Sequence, residues 1–169
     1  MRSFHPDRAM QPEFLRSVSL FEDLSEAQLE ALGSLFSVRD IAPREAIVME
    51  GEPMHEFYVV CEGTVHVRRM AQNREMLLGR IATGGFFGEI NLFEEGAATA
   101  SIYATDAVKL AAASDAALCE LMNANPEVGY KVLARLLTEL SRRLRQTNER
   151  FVSAMYWSSL SASESSSEG

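Results

Sequence analysis

The stretch AIVMEGEPMHEFYVVCEGTVHVRRM, from Ala46 to Met70, decides the fold class of this 169-residue chain. It contains two runs rich in β-branched and aromatic residues, in which apolar and polar residues alternate with a period of two. The segments EGEP and CEGT interrupt these runs, because glycine and proline favour turns over strand continuation. The polar segment AQNRE and the run MLLGRIA that follows predict a hairpin and a returning strand. The stretch therefore predicts antiparallel strands.

Helical patterns lie on both sides of these strands. LSEAQLEALGSLF predicts a helix capped by Ser25, with Gln28 completing a capping box, and QPEFLRSVS predicts an earlier one. SIYATDAVKLAAA predicts two more strands, and DAALCELM a short helix after them. Asn125 and Pro126 are typical of the first residues of a long final helix. Strands grouped between helical ends, without βαβ alternation, predict an α+β fold.

Composition and charge narrow the class of protein. The net charge is −8. Proteins bind nucleic acids largely by neutralising the phosphates with positive charge, so we expect this acidic chain not to bind nucleic acid. The N-terminus lacks a secretory pattern and no run of about 18 apolar residues occurs, so we expect no membrane association. Two distant cysteines, Cys61 and Cys119, suit a reducing compartment. These features predict a cytoplasmic protein without a resident cofactor.

The final helix carries an apolar seam with a heptad-like spacing of four and three residues. Its members are Leu133, Leu137, Leu140, Leu144, Thr147 and Phe151. Such a seam packs either on its own domain or on a second copy of itself. We expect the second arrangement, a homodimer, because the chain has no other long helix.

The seam is followed by FVSAMYWSSL, in which Phe151, Met155, Tyr156 and Trp157 form an apolar, aromatic segment. Two interpretations stay open: a docking surface for a partner protein, or a lid that folds over the mouth of the strand domain. Beyond it, the composition SSLSASESSSEG predicts disorder. The sequence thus predicts a folded part at 1–157 and a disordered Ser/Glu tail at 158–169.

Three segments, in this order, resemble the cyclic nucleotide-binding domain, and more narrowly the effector domain of the catabolite activator protein superfamily. They are IAPREAIVMEGEPMHEFYVVCEGTVHV, GGFFGEINLF and LLTELSRRLRQTNERF. The resemblance implies an antiparallel β-roll of the jelly-roll kind, flanked by N-terminal helices and a long dimerisation helix. It also implies a regulatory, non-enzymatic role. Relatives that regulate transcription carry a DNA-binding domain after this helix, and no such pattern follows Phe151, so we expect no direct action on DNA.

The segment from Gly84 to Ala104, here called the cassette, resembles the part of the family that holds the ligand's phosphate. The resemblance implies that Glu89 accepts a hydrogen bond from the ribose 2′-hydroxyl and that an arginine further on pairs with the phosphate. That arginine position falls on Ala98, and the neighbouring hydroxyl position on Thr99. The whole cassette contains no arginine or lysine.

The cassette and the final helix supply the expected ligand contacts. Glycines such as Gly88 allow the backbone to approach a ligand, and residues 89–92 can form a turn whose N–H groups face an anion. The expected ligand-binding residues are Gly88, Glu89, Ile90, Ala98, Thr99, Ser101, Thr147 and Asn148. Without the arginine, we expect the affinity for a cyclic nucleotide to fall by about two orders of magnitude.

Other interpretations stay open beside this one. Thr147 and Asn148 either face a bound base or are polar positions of the helix seam. The pocket either binds a small anionic effector or has lost binding and serves a dimeric scaffold. Cys61 and His66 leave haem ligation open, as in some relatives. The three histidines are too scattered for a metal site, and no pair of a nucleophile and a base indicates an enzyme.

Overall fold

The structure is a computed structural model that describes residues 10–94 and 96–165, with side chains described as far as Tyr156. Its regular elements lie in the order expected from the sequence. The helices are α1 (Pro12–Ser17), α2 (Glu26–Gly33), α3 (Asp115–Ala124) and α4 (Pro126–Ser165), with a 3-10 turn at Ile90–Leu92. The strands are β1 (Ser37–Ile41), β2 (Ala46–Val48), β3 (Glu56–Glu62), β4 (Thr64–Ala71), β5 (Arg74–Ala82), β6 (Phe86–Phe87), β7 (Ser101–Ala104) and β8 (Val108–Ser114).

The strands form two four-stranded antiparallel sheets that together make a β-roll. One sheet has the order β1-β8-β3-β6, and the other β2-β7-β4-β5. A cluster of buried residues from both sheets fills the roll, among them Val48, Met54, Tyr58, Val60, Val65, Phe87, Ala98, Ile102 and Leu110. The α+β β-roll expected from the sequence is confirmed.

Strand β3 is apolar on both of its faces because each face meets a different layer. Tyr58 and Val60 belong to the cluster inside the roll. Phe57 is 1% exposed and makes ring contacts with Phe21, Phe36 and Phe86, at centroid distances of 6.3, 6.3 and 5.7 Å. Phe21 and Phe36 directly follow the two N-terminal helical segments. The opposite face of β3 therefore anchors those helices to the roll.

The capping box predicted at the start of α2 is present. The Gln28 N–H donates to the Ser25 hydroxyl at 3.4 Å, and the Ser25 N–H donates to the Gln28 side chain at 3.0 Å. Each bond satisfies a backbone donor that the first helical turn leaves unpaired.

Replacement of Ser25 by alanine should lower the free energy of unfolding by about 1 kcal/mol, because the N-cap acceptor is lost. Urea denaturation of the wild type and of the variant measures this change. Ser19→Ala, at an exposed position outside any helix, is the matched control and should change the stability little. Equal midpoints for wild type and Ser25→Ala would show that the box does not contribute to folding.

The start of α4 differs in detail from the sequence prediction. The side chain of Asn125 donates to the Leu121 carbonyl at 3.2 Å, so it bonds back to the end of α3. Its own carbonyl accepts the Gly129 N–H at 3.0 Å. Asn125 thus joins two helices, because a single residue ends α3 and precedes α4.

Helix α4 continues through a boundary between two compact units of the chain. One unit extends to Lys131, and the other begins at Val132. The backbone is helical through Ser165, into the segment at 158–169 for which the composition predicts a disordered tail. Residues 166–169 lie outside the described range. Among the described helices, none combines the length and the apolar character needed to cross a bilayer.

Candidate ligand-binding site

The cassette crosses from one sheet of the roll to the other. Strand β6 pairs with β3, where Phe87 lies opposite Tyr58. The chain then passes through the 3-10 turn and returns as β7, which pairs with β2 and β4. Both ends of the cassette are therefore held by backbone hydrogen bonds.

Gly88 is the tightest backbone position of the cassette. Its φ is +90°, and a Cβ there would lie 2.6 Å from the Glu56 carbonyl oxygen and 2.5 Å from the Cε of Met54. A side chain would therefore meet the backbone of β3 as well as an unfavourable dihedral angle. These neighbours by themselves require a glycine, and the close approach of its backbone to a ligand stays a prediction.

Among the residues that the structure describes, two polar side chains are buried, and both belong to the cassette. Glu89 is 7% exposed and Ser101 is 8% exposed. The hydroxyl oxygen of Ser101 accepts the N–H of Glu50 at 3.0 Å. Buried polar groups are normally hydrogen-bonded, and a buried carboxylate in particular needs donors or counter-charge around it.

Ala98 lies in the interior, and the next residue does not. Ala98 is 6% exposed and belongs to the cluster that fills the roll. Its N–H donates to Glu52 O at 2.9 Å, and its carbonyl accepts the Gly51 N–H at 2.8 Å. Thr99 is exposed, and Ile90 is 48% exposed. Ala98 is thus buried like Glu89 and Ser101, whereas the side chains of Thr99 and Ile90 lie at the surface.

The remaining expected ligand contacts lie on α4. Thr147 and Asn148 are exposed residues of the unit that begins at Val132. The hydroxyl of Thr147 donates to the Arg143 carbonyl at 2.9 Å, a bond within the helix. A role for these two residues toward a bound base stays a prediction.

Two arginines outside the cassette, Arg69 and Arg39, are paired with carboxylates. Arg69 Nε donates to Glu50 Oε1 at 3.0 Å. The guanidinium of Arg39 forms an ion pair with Glu56, whose carbonyl faces Gly88. Glu94 is exposed, and Glu95 lies outside the described residues. The cassette therefore has a negative formal charge without a cation of its own.

A polar group supports the strand beside the cassette. The hydroxyl of Tyr58 donates to Glu56 Oε2 at 2.6 Å, and its ring stacks on Phe87 at 4.8 Å. Burial, and then the bond to Glu56, raise the pKa of Tyr58 above its ordinary value. The bond to Glu56 also raises the pKa of Arg39. Tyr58 therefore stays protonated and Arg39 charged, so the group is not a proton switch at neutral pH.

The two cysteines are both partly buried. Burial raises the pKa of the Cys61 thiol to about 11, and metal ligation requires the thiolate. Haem ligation by Cys61 or His66 stays an open interpretation. Cys119, on α3, donates through its sulfur to the Leu92 carbonyl at 3.4 Å, which ties α3 to the cassette turn. Within the described range, no three His, Cys, Asp or Glu side chains are grouped to hold a metal ion.

The seam of α4 forms a second candidate site, for association. Leu137, Leu144 and Phe151 are 67%, 61% and 63% exposed, and Leu133 and Leu140 are also exposed. Met155 and Tyr156 extend this surface with 58% and 59% exposure, while the side chain of Trp157 lies outside the described residues. So much exposed apolar area along one helix is typical of a protein–protein interface.

Comparisons with known proteins agree with the fold. The family model described as the cyclic nucleotide-binding domain matches residues 38–125, slightly more than half of the chain. The cAMP-dependent protein kinase regulatory subunit of Mycosarcoma maydis is 29% identical over 140 residues, which cover 83% of this chain and 26% of that protein. The CRP-like cAMP-activated global transcriptional regulator of Mycobacterium tuberculosis is 28% identical over 145 residues, 85% of this chain and 63% of that protein.

One solved structure is matched over a larger share of its own length than either of these two relatives. It is the N-terminal domain of a transcriptional regulator from Streptomyces coelicolor, with a TM-score of 0.67 and 33% identity, covering 82% of this chain and 94% of that chain. The chain spans less than two thirds of the length of the two curated relatives. With the family model matched through the cassette and a relative of this identity, the chain belongs to the cyclic nucleotide-binding domain family.

Proposed function

We propose that the chain is a non-enzymatic regulatory sensor module that binds a small effector inside its β-roll. The observation that carries the proposal is the buried carboxylate of Glu89, 7% exposed, at the cassette turn that joins the two sheets. A family relationship to cAMP-dependent regulators makes a cyclic nucleotide the leading candidate effector.

The affinity for a cyclic nucleotide should be low, because nothing in the cassette replaces the missing arginine. A charge-assisted hydrogen bond is worth about 1.5–3 kcal/mol, and a guanidinium supplies two such bonds to a phosphate. Ala98 supplies none, and the nearby carboxylates oppose an anion. We expect dissociation constants roughly two orders of magnitude weaker than those of an arginine-bearing cassette.

Signal transmission would be a population shift that begins at the cassette turn. The turn is tied to α3 by the bond from Cys119 to Leu92 O. Helix α3 in turn touches the first turn of α4, where a Cβ on Gly129 would lie 3.1 Å from the Met122 carbonyl oxygen. A ligand that moves the turn would therefore displace α3 and bias the start of α4.

The exposed seam of α4 supports a homodimer as the working form. In a monomer these leucines stay in water. Burying them in a dimer would contribute about 25 cal/mol of free energy for each Å² of apolar surface removed from water. Phe151, Met155, Tyr156 and Trp157 would add a surface for a partner protein. The seam is also the basis for proposing that the output of the sensor is a change in association.

A second candidate function is a dimeric scaffold whose pocket no longer binds a ligand. Two observations favour it: the cassette contains no arginine or lysine, and Met54 packs against Gly88. In that case α4 and its aromatic end would carry the whole function.

Calorimetric titration of the full chain with cyclic AMP and cyclic GMP separates the two functions. The sensor predicts saturable one-site binding with a dissociation constant in the range of tens to hundreds of micromolar, an estimate of about two orders of magnitude above a micromolar binder. Absence of binding of any nucleotide or nucleoside at millimolar concentration would support the scaffold.

A further inference from the structure

Apolar atoms from two segments close the interior at the cassette end of the roll. Met54 and Ala98 are 9% and 6% exposed and belong to the same buried cluster. Glu52 and Pro53, just before Met54, pair with Ala98 and Ala97. The methyl end of Met54 reaches Gly88, where it would lie 2.5 Å from an added Cβ. Met54 thus contacts one cassette position that is expected to approach a phosphate, Gly88, and shares the buried cluster with the other, Ala98.

A phosphate at this place would meet an unfavourable environment. The cassette sequence contains no arginine or lysine, and the buried charged side chain among its described residues is the Glu89 carboxylate. Two like charges in a partly dry site repel each other, and water screens them poorly there. The apolar atoms of Met54 and Ala98 would also remove water from the phosphate without supplying donors in exchange.

The same surroundings would favour an uncharged sugar. An ionised carboxylate is an acceptor only, and hydroxyl groups are the donors that it bonds well. A neutral CH₂OH group also loses much less hydration than a phosphate when it lies against methionine and alanine. The same surroundings that oppose a cyclic phosphate therefore suit a ribose without one.

We propose that the β-roll is selective for an uncharged nucleoside over its cyclic phosphate, with Met54 and Ala98 as the residues that set this selectivity. The ribose hydroxyls donate to Glu89, and the unphosphorylated 5′ end lies against the apolar pair. The proposal rests on the proposed function, since the expectation of a ribose-containing effector comes from it.

The test compares ligands on the unmodified full chain by calorimetry. Adenosine, guanosine, cytidine and uridine are titrated in parallel with their 3′,5′-cyclic monophosphates. The best nucleoside should bind at least about tenfold more tightly than its own cyclic phosphate. Its 2′-deoxy form should bind roughly tenfold more weakly, because one hydroxyl donor to the carboxylate is gone.

The outcomes separate this inference from the proposed function. A cyclic phosphate that binds as tightly as its nucleoside, or more tightly, overturns the selectivity and leaves the sensor standing. Failure of all eight compounds to bind at millimolar concentration overturns both.

A variant at Met54 tests which residue sets the selectivity. Met54→Gln keeps the length of the side chain and adds donors, so it should narrow the ratio between nucleoside and cyclic phosphate by about fivefold or more. Met70→Gln, at an exposed methionine on β4, is the matched control and should leave the ratio unchanged. Thermal melting confirms that each variant is folded. An unchanged ratio in folded Met54→Gln would remove Met54 from the proposal, and the ligand series on the wild type stands independently of both variants.

Discussion

Ala98→Arg should raise the affinity of the chain for cyclic AMP by roughly thirty- to a thousandfold, the equivalent of about 2–4 kcal/mol. A guanidinium at this position supplies two parallel donors to the phosphate and offsets the negative charge of the cassette. The gain is net of the free energy needed to order the long side chain. Calorimetry with cyclic AMP on the wild type and on the variant measures it.

The burial of Ala98 affects how this variant has to be tested. An arginine at a position 6% exposed needs space inside the buried cluster to which Met54 also belongs, and an unliganded charge there destabilises the fold. The double variant Ala98→Arg with Met54→Ala supplies that space. We expect it to bind cyclic AMP at least as tightly as the single variant and to lose its preference for nucleosides.

The neighbouring residue supplies a matched control. Thr99→Arg adds the same charge one position along, at an exposed side chain, and should gain affinity only through weak long-range attraction. A larger gain from Thr99→Arg than from Ala98→Arg would place the arginine position at 99 and shift the family alignment by one residue. Glu89→Gln in the Ala98→Arg background should lose part of the gain, because a neutral amide accepts a weaker hydrogen bond from ribose.

Leu140→Glu should convert a dimer into monomers at tens of micromolar, a concentration suited to sedimentation. Leu140 lies in the middle of the seam, and a dimer through this seam would bring the two introduced carboxylates close together in an apolar interface. The desolvation of two like charges there opposes association. Sedimentation velocity on the wild type and on the variant distinguishes the two states.

The control for this prediction lies on the same helix. Gln146→Glu introduces the same carboxylate at an exposed position outside the seam and should leave association unchanged. A wild type that sediments as a monomer at these concentrations would contradict the homodimer. Dissociation by both variants alike would indicate a general effect of charge and not a defined interface.

The fold could be read from the chain because its decisive patterns are local. Alternation with a period of two in Ala46–Met70 predicted paired strands, and the Ser25 capping box predicted the start of α2. Both depend on residues within a few positions of one another, so the tertiary structure adds little to them. The disordered tail at 158–169 stays a prediction from composition, beside a backbone that is helical as far as Ser165.

For the cassette, the sequence determined the chemical composition and the tertiary structure determined which side chains are buried. The sequence alone determined that the segment Gly84–Ala104 has glycines, a carboxylate and no cation, since charge and composition are independent of folding. Only the tertiary structure decided that Ala98 faces the interior and Thr99 the solvent, and that Met54 reaches Gly88 from another strand connection. In the sequence, Met54 is one apolar residue in a turn, 34 positions from Gly88 by their numbers. Contacts over such separations depend on how two sheets pack, and no local pattern encodes that packing.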